Sequence, residues 1–185
     1  SIQGIYLYFD AHNGSVKAIF DAKALTNKRT AAASALASSY LSRKESSSLL
    51  VIGTGALSRN LIQAHVSVRP ITDVFIYGRS FDKAVDIANE FSSEEIGVKP
   101  VRKIEEVISE VDIISCATLS KDPLVLGKFL REGQHLDMVG AYKKDMREAD
   151  DEALLKSSIF VDNFTGALKE TGDLLIPLEE GIINK

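Results

Sequence analysis

Apolar residues recur along this chain with two different periods. Short runs at residues 49–52, Asp73–Tyr77, 98–101, 111–116, 135–139 and 159–162 are continuous or alternating, the pattern of β-strands. Between them, residues 59–68, 83–91, 104–109, 126–131, 148–156 and 164–169 carry apolar positions three and four apart, as helices or single helical turns do. Strands alternating with helices predict an α/β fold, a Rossmann-type doubly wound parallel sheet covered on both faces. Pro100 falls within the third of these runs and predicts a sheet edge there.

Both ends depart from the alternation. Ile5–Phe9 and residues 16–20 flank Asn13-Gly14, a strong hairpin signal because both residues tolerate positive φ. No strand elsewhere is an obvious partner, and a lone hairpin is marginal in water. The hairpin is therefore expected to be the remnant of a second domain. Residues 26–44 read as a helix with Thr26 as N-cap, and residues 172–185 as aperiodic chain leaving the domain. The expected division is 1–25 for the hairpin, 26–172 for the α/β domain and 173–185 for the exit segment.

The strongest local motif is Gly53-Thr54-Gly55-Ala56-Leu57-Ser58, which follows the apolar strand and opens a helical stretch. This is the strand, glycine turn, helix arrangement of dinucleotide-binding folds. Gly53 permits the tight turn, and Gly55 lets backbone approach a pyrophosphate facing the N–H groups that open the helix. Ser58 is a small residue at the third position. In the following helix Leu61, Ile62, Ala64 and His65 form the expected inward face, His65 as a packed histidine. The next strand ends in Gly78-Arg79-Ser80. An acidic residue at that tip accepts the ribose 2′-hydroxyl, whereas Arg accommodates a 2′-phosphate. Arg79 and Ser80 therefore predict NADP(H) in preference to NAD(H). Ala117, Thr118 and Leu119 end one later strand and Val139, Gly140 and Ala141 another, at the sheet end where ligands bind.

Charge and composition narrow the classes. The net charge of −4 argues against nucleic-acid and anionic-membrane partners. No apolar run approaches bilayer length, and no leader is expected. The single cysteine, Cys116, rules out an internal disulfide framework and fits a reducing cytoplasm; it is expected to pack as a small hydrophobe. His12, His65 and His135 lack metal-ligand spacing, so no metal site is expected. Lys28 and Arg29 fall in the first turn of the expected helix. Two readings follow: solvated cations, or a carboxylate site built from the Arg29 fork beside free N–H groups.

Arg29-Thr30-Ala31-Ala32, Gly53-Thr54-Gly55-Ala56, Asp112-Ile113-Ile114 with Ala117-Thr118, and Val139-Gly140-Ala141 with Met146-Arg147-Glu148 together resemble the ornithine cyclodeaminase/mu-crystallin family. The resemblance runs over nearly the whole chain. It implies a homodimeric oxidoreductase with a Rossmann domain inserted into a sheet-rich dimerisation and substrate domain, and a small imino or amino acid as substrate. It assigns Arg29 to the substrate carboxylate, Arg79-Ser80 to the NADPH phosphate, and the Thr118-Leu119 and Val139–Ala141 stretches to the cofactor. Cyclodeaminases carry a catalytic aspartate where this chain has Tyr142. The family's active-site lysine maps upstream of residue 1, so the chain is expected to be a segment lacking both flanks of its substrate domain. The expectation is an NADP-dependent reductase of cyclic imino acids (ketimines) such as Δ1-pyrroline-2-carboxylate, the segment alone being inactive. The alternatives are an ornithine cyclodeaminase and a non-catalytic NADP(H)- or small-ligand-binding protein.

Overall fold

A computed structural model describes residues 3–184 of the chain; residues 1–2 and 185, the extremities of the two expected flanking segments, lie outside the described residues. Two strands, β1 (Ile5–Phe9) and β2 (Val16–Asp21), form an antiparallel hairpin of their own. Its turn closes where Gly14 takes φ 72°, as the Asn-Gly signal requires. Ile5, Tyr6, Leu7, Tyr8 and Phe9 are all exposed, so neither face of the ribbon is covered.

The helix that follows, α1 (Ala22–Leu41), starts earlier than its sequence pattern indicates. Asp21, not Thr26, is the N-cap, and its carboxylate accepts the Ala24 N–H at 2.6 Å. Lys28 and Arg29 consequently lie about two turns inside α1, away from the free N–H groups of its first turn. At the other end, Arg69 Nη2 donates to the carbonyls of Ser38 and Ser39 at 2.8 Å and of Ser42 at 3.0 Å, placing a cation on the carbonyl-rich end of the helix.

Five parallel strands form the main sheet: β3 (Ser48–Ile52), β4 (Asp73–Tyr77), β5 (Gly97–Pro100), β6 (Ile113–Cys116) and β7 (His135–Met138), in the order β5-β4-β3-β6-β7. β3 is central and almost wholly apolar because both its faces are covered. Leu49 and Val51 pack with Ile62, Ala84 and Ile87 beneath α2 (Ser58–Val68) and α3 (Phe81–Phe91). Leu50 and Ile52 face the other way, onto Ile108, Val125 and Ala153. That second face is roofed by 3-10 turns at Ile104–Glu106 and Gly127–Phe129, within the short helical stretches expected there, and by α4 (Asp151–Leu155), shorter than the expected 148–156. Pro100 sits on the edge strand, where no neighbour needs its missing N–H.

Three further expectations change. Residues 159–162 form no strand, and Ile159 and Phe160 are exposed, since no ladder partner is available to them. After α5 (Phe164–Glu170), the segment read as aperiodic opens as a helix, α6 (Gly172–Glu179), with Asp173, Leu174 and Pro177 buried. On α2 the buried set is Ser58, Leu61, Ile62 and His65, while Ala64 is only half-buried. His65 is fully buried and meets Asp137 at 3.3 Å, with Ser115 donating to the same carboxylate at 2.7 Å.

Candidate functional site

The C-terminal ends of β3, β4, β6 and β7 meet at one rim of the sheet. The turn after β3 is held from two sides: Gly53 N–H donates to the Tyr77 carbonyl at 2.8 Å, and Ala117 N–H donates to the Ile52 carbonyl at 2.9 Å. Gly53 has φ 126°, and a Cβ there would stand 2.6 Å from the Ala117 carbonyl oxygen. The buried Ser58 hydroxyl donates back to the Gly53 carbonyl at 2.8 Å, so this third small residue locks the turn from inside.

Gly55 is the opposite case. A Cβ added there would meet nothing within 4 Å, so the turn opens onto free space. No backbone carbonyl among the described residues accepts the amides of Gly55, Ala56 or Leu57. An open concavity ringed by free N–H groups at the start of α2 fits a pyrophosphate. Beyond the tip of β4, Arg79 is exposed and Ser80 is the N-cap residue of α3.

The other half of the rim is built around Glu148, which lies just before α4 and is fully buried. One of its oxygens accepts the Thr118 N–H at 2.6 Å and the Thr118 hydroxyl at 2.8 Å, and the other accepts the Gly140 N–H at 2.7 Å. Burial pushes this carboxyl above its ordinary value, and the Cys116 thiol together with the Thr118 and Gly140 donors partly offsets the rise. Gly140 is required because a Cβ would stand 2.1 Å from the Thr118 carbonyl oxygen. The loop is anchored in turn by Val139 N–H on the Cys116 carbonyl at 2.9 Å. Val139 is half-buried, Ala141 buried and Leu119 exposed. Cys116 is buried against Glu148; burial raises its thiol well above the ordinary range, so it stays protonated.

Behind Glu148, Asp173 of α6 accepts the N–H groups of Glu148 and Ala149 at 2.8 and 3.1 Å. Asp112, at the opposite end of β6, has a different task. It accepts Ser47 N–H at 2.9 Å and an Arg131 N–H at 3.1 Å, joining the starts of β3 and β6.

Four predicted stretches thus share the rim: Gly53–Ser58, Arg79-Ser80, Ala117–Leu119 and Val139–Ala141. Arg29 lines a different surface, a shallow hollow of about 450 Å³ with Tyr6, Tyr8, Phe20 and Leu25.

The family profile described as ornithine cyclodeaminase/mu-crystallin matches residues 1–185. The chain belongs to the ornithine cyclodeaminase/mu-crystallin family. It is 45% identical over 188 residues to an uncharacterised protein of Schizosaccharomyces pombe, covering 100% of this chain and 57% of that one. It is 35% identical over 184 residues to the Delta(1)-pyrroline-2-carboxylate reductase of Paracoccus denitrificans, covering 99% and 58%. Among solved structures, the Thermococcus litoralis Delta(1)-pyrroline-2-carboxylate reductase in complex with NADH and L-proline superposes with a TM-score of 0.91 at 36% identity, covering 97% and 56%. The chain therefore spans a little over half the length of these relatives.

Within this family member, two rim residues escaped sequence reasoning as site components. Glu148 entered only as one letter of a motif, and Asp173 fell in the segment read as aperiodic. A carboxylate between Arg147 and Ala149 reads locally as a solvated side chain. The only hint lay in its spacing from Gly140, which acquires meaning once β7 is in place.

Proposed function

We propose that the full-length protein is an NAD(P)H-dependent oxidoreductase that reduces a small cyclic imino acid, of the Δ1-pyrroline-2-carboxylate class, to the amino acid. The observation that carries this reading is the rim itself: an open glycine turn ringed by free amides, an Arg-Ser strand tip, and two loops joined by Glu148. When bound, the nicotinamide supplies a hydride to the imine carbon, while the imine nitrogen takes a proton. This chain's residues do the holding. The amides of Gly55, Ala56 and Leu57 bind the pyrophosphate, and Arg79 and Ser80 take a 2′-phosphate, which favours NADP(H) over NAD(H). The Thr118 and Gly140 loops orient the nicotinamide half. Arg29, which lines a separate hollow beside the aromatic residues of the hairpin, would bind the substrate carboxylate through its fork as part of the substrate domain of the full-length protein.

In this reading residues 1–25 belong to the dimerisation and substrate domain, residues 26–172 form the dinucleotide domain, and residues 173–185 lead back toward the former. The uncovered apolar hairpin supports that division, since a ribbon exposed on both faces is built to be paired. A homodimer and a cytoplasmic location belong to the same proposal. Among the described residues, no helix is long and apolar enough to cross a membrane.

Cofactor titration of this chain, and assays of the full-length protein against cyclic imines, test the reading. NADPH is expected to bind at least about tenfold tighter than NADH, and the preference is expected to fall in Arg79→Ala. Equal affinities for the two in the wild type would remove the 2′-phosphate assignment. A full-length protein that binds cofactor yet reduces no cyclic imine would favour the non-catalytic alternative. Tyr142, exposed after β7, puts a phenol where the cyclodeaminases carry a carboxylate. NAD-dependent ammonia release from ornithine would contradict this reading and restore the cyclodeaminase alternative.

A further inference from the structure

The rim carries a second arginine beyond the strand tip. β4 and β5 run side by side in parallel, with Val74 opposite Val98 and Ile76 opposite Pro100, and the Val101 N–H donates to the Ile76 carbonyl at 2.9 Å. Arg102 follows that last link by one residue, just past the C-terminal end of β5, as Arg79 stands just past the end of the neighbouring β4. Phe81 is the first residue of α3, two residues after Arg79, and the Arg102 guanidinium carbon sits 3.8 Å from the centroid of its ring. Among the described residues neither Arg79 nor Arg102 is in an ion pair. The one carboxylate in the first turn of α3, Asp82, is exposed and pairs with neither.

This arrangement differs from that of a solvated surface arginine. Stacking on the ring uses only the flat face of the guanidinium, so its N–H donors still point outward in the plane. A phosphate monoester takes that fork through two parallel hydrogen bonds. Because the ring already restrains the side chain, less rotamer freedom is lost on binding than for a free arginine. The place is also right. In a sheet with β3 central and the glycine turn after it, the adenosine half of a dinucleotide lies over β4 and its outer neighbour β5.

We propose that Arg102, held flat on Phe81, is a second cation for the 2′-phosphate, so that Arg79 and Arg102 together set the discrimination between NADPH and NADH. This rests on the NADP(H) reading above, and the two are tested by separate substitutions. Dissociation constants for NADPH and NADH, measured by nicotinamide fluorescence on this chain, are the readout. Arg102→Ala is expected to weaken NADPH about tenfold while leaving NADH within twofold. Arg102→Lys keeps the charge but not the flat fork, and is expected to lose about threefold. Phe81→Leu, which frees the guanidinium, is expected to shift NADPH in the same direction by a smaller factor. If Arg102→Ala leaves both constants unchanged, or weakens both equally as an adenine contact would, the inference is wrong. If Arg79→Ala also leaves the NADPH to NADH ratio unchanged, the 2′-phosphate reading itself falls.

Discussion

Thr118 directs both its backbone N–H and its hydroxyl at a single oxygen of Glu148, at 2.6 and 2.8 Å. The hydroxyl is thereby turned toward the protein interior, and the loop meets any ligand with its backbone and neighbours. The second Glu148 oxygen holds Gly140, so one buried carboxylate fixes the loops after both β6 and β7. In Glu148→Gln, an NH2 group faces the Gly140 N–H, and one of the two loops loses its acceptor. NADH affinity is expected to fall about tenfold, roughly 1.4 kcal/mol, while AMP, which needs only the adenosine side, changes less than twofold. Equal losses for the two ligands would point to general unfolding instead of loop positioning.

The same residue predicts opposed pH dependences. Burial raises Glu148 above its ordinary 4.5, so protonation favours the folded state. Its stabilising contribution is complete below the unfolded value and is lost as pH rises through the folded one. The clamp needs the ionised form, so dinucleotide affinity should fall as pH drops through that folded value. Titrations over the acid range should show this fall in the wild type and a flattened profile in Glu148→Gln.

His135 works with the other sign. Burial is the main cause that lowers it below its ordinary 6.5, so it is neutral in the fold and protonated more readily when unfolded. The stability it contributes is present above 6.5 and lost as pH falls through the folded value. Urea midpoints compared at about pH 8 and about pH 5 should drop for the wild type. The drop should be smaller in His135→Leu, and an identical drop would remove this histidine from the acid response.

The two motif glycines should separate folding from binding. Gly53→Ala forces a Cβ against the Ala117 carbonyl at a positive φ, and is expected to destabilise the chain by more than about 1 kcal/mol. Gly55→Val points into open space, so its denaturation midpoint should stay near that of the wild type while NADPH binding is lost. A Gly55→Val chain that binds normally would show that the pyrophosphate lies elsewhere.

Arg69→Ala leaves three carbonyls at the end of α1 without their charged donor. A stability loss of about 2–4 kcal/mol is expected by denaturant unfolding, with little change in cofactor affinity, because Arg69 lies at the far end of α2 from the glycine turn.

The sequence by itself determined the elements whose signals are local. The apolar run of β3, the Asn13-Gly14 hairpin, the edge position of Pro100 and the glycine turn each depend on a few adjacent residues and their backbone preferences. Tertiary structure decided what local signals leave open. Thr26 suits a helix start on local grounds, yet the cap fell to Asp21, where the chain leaves β2. Residues 159–162 have strand composition but no ladder partner, and a strand is stable only when its N–H and C=O groups are paired. Glu148 and Asp173 look like surface carboxylates in sequence. They become buried acceptors only because the sheet order sets the Thr118 and Gly140 loops side by side and α6 docks behind them. Periodicity records which face of an element is apolar, whereas the meeting of two distant polar groups depends on how the elements pair across the whole fold.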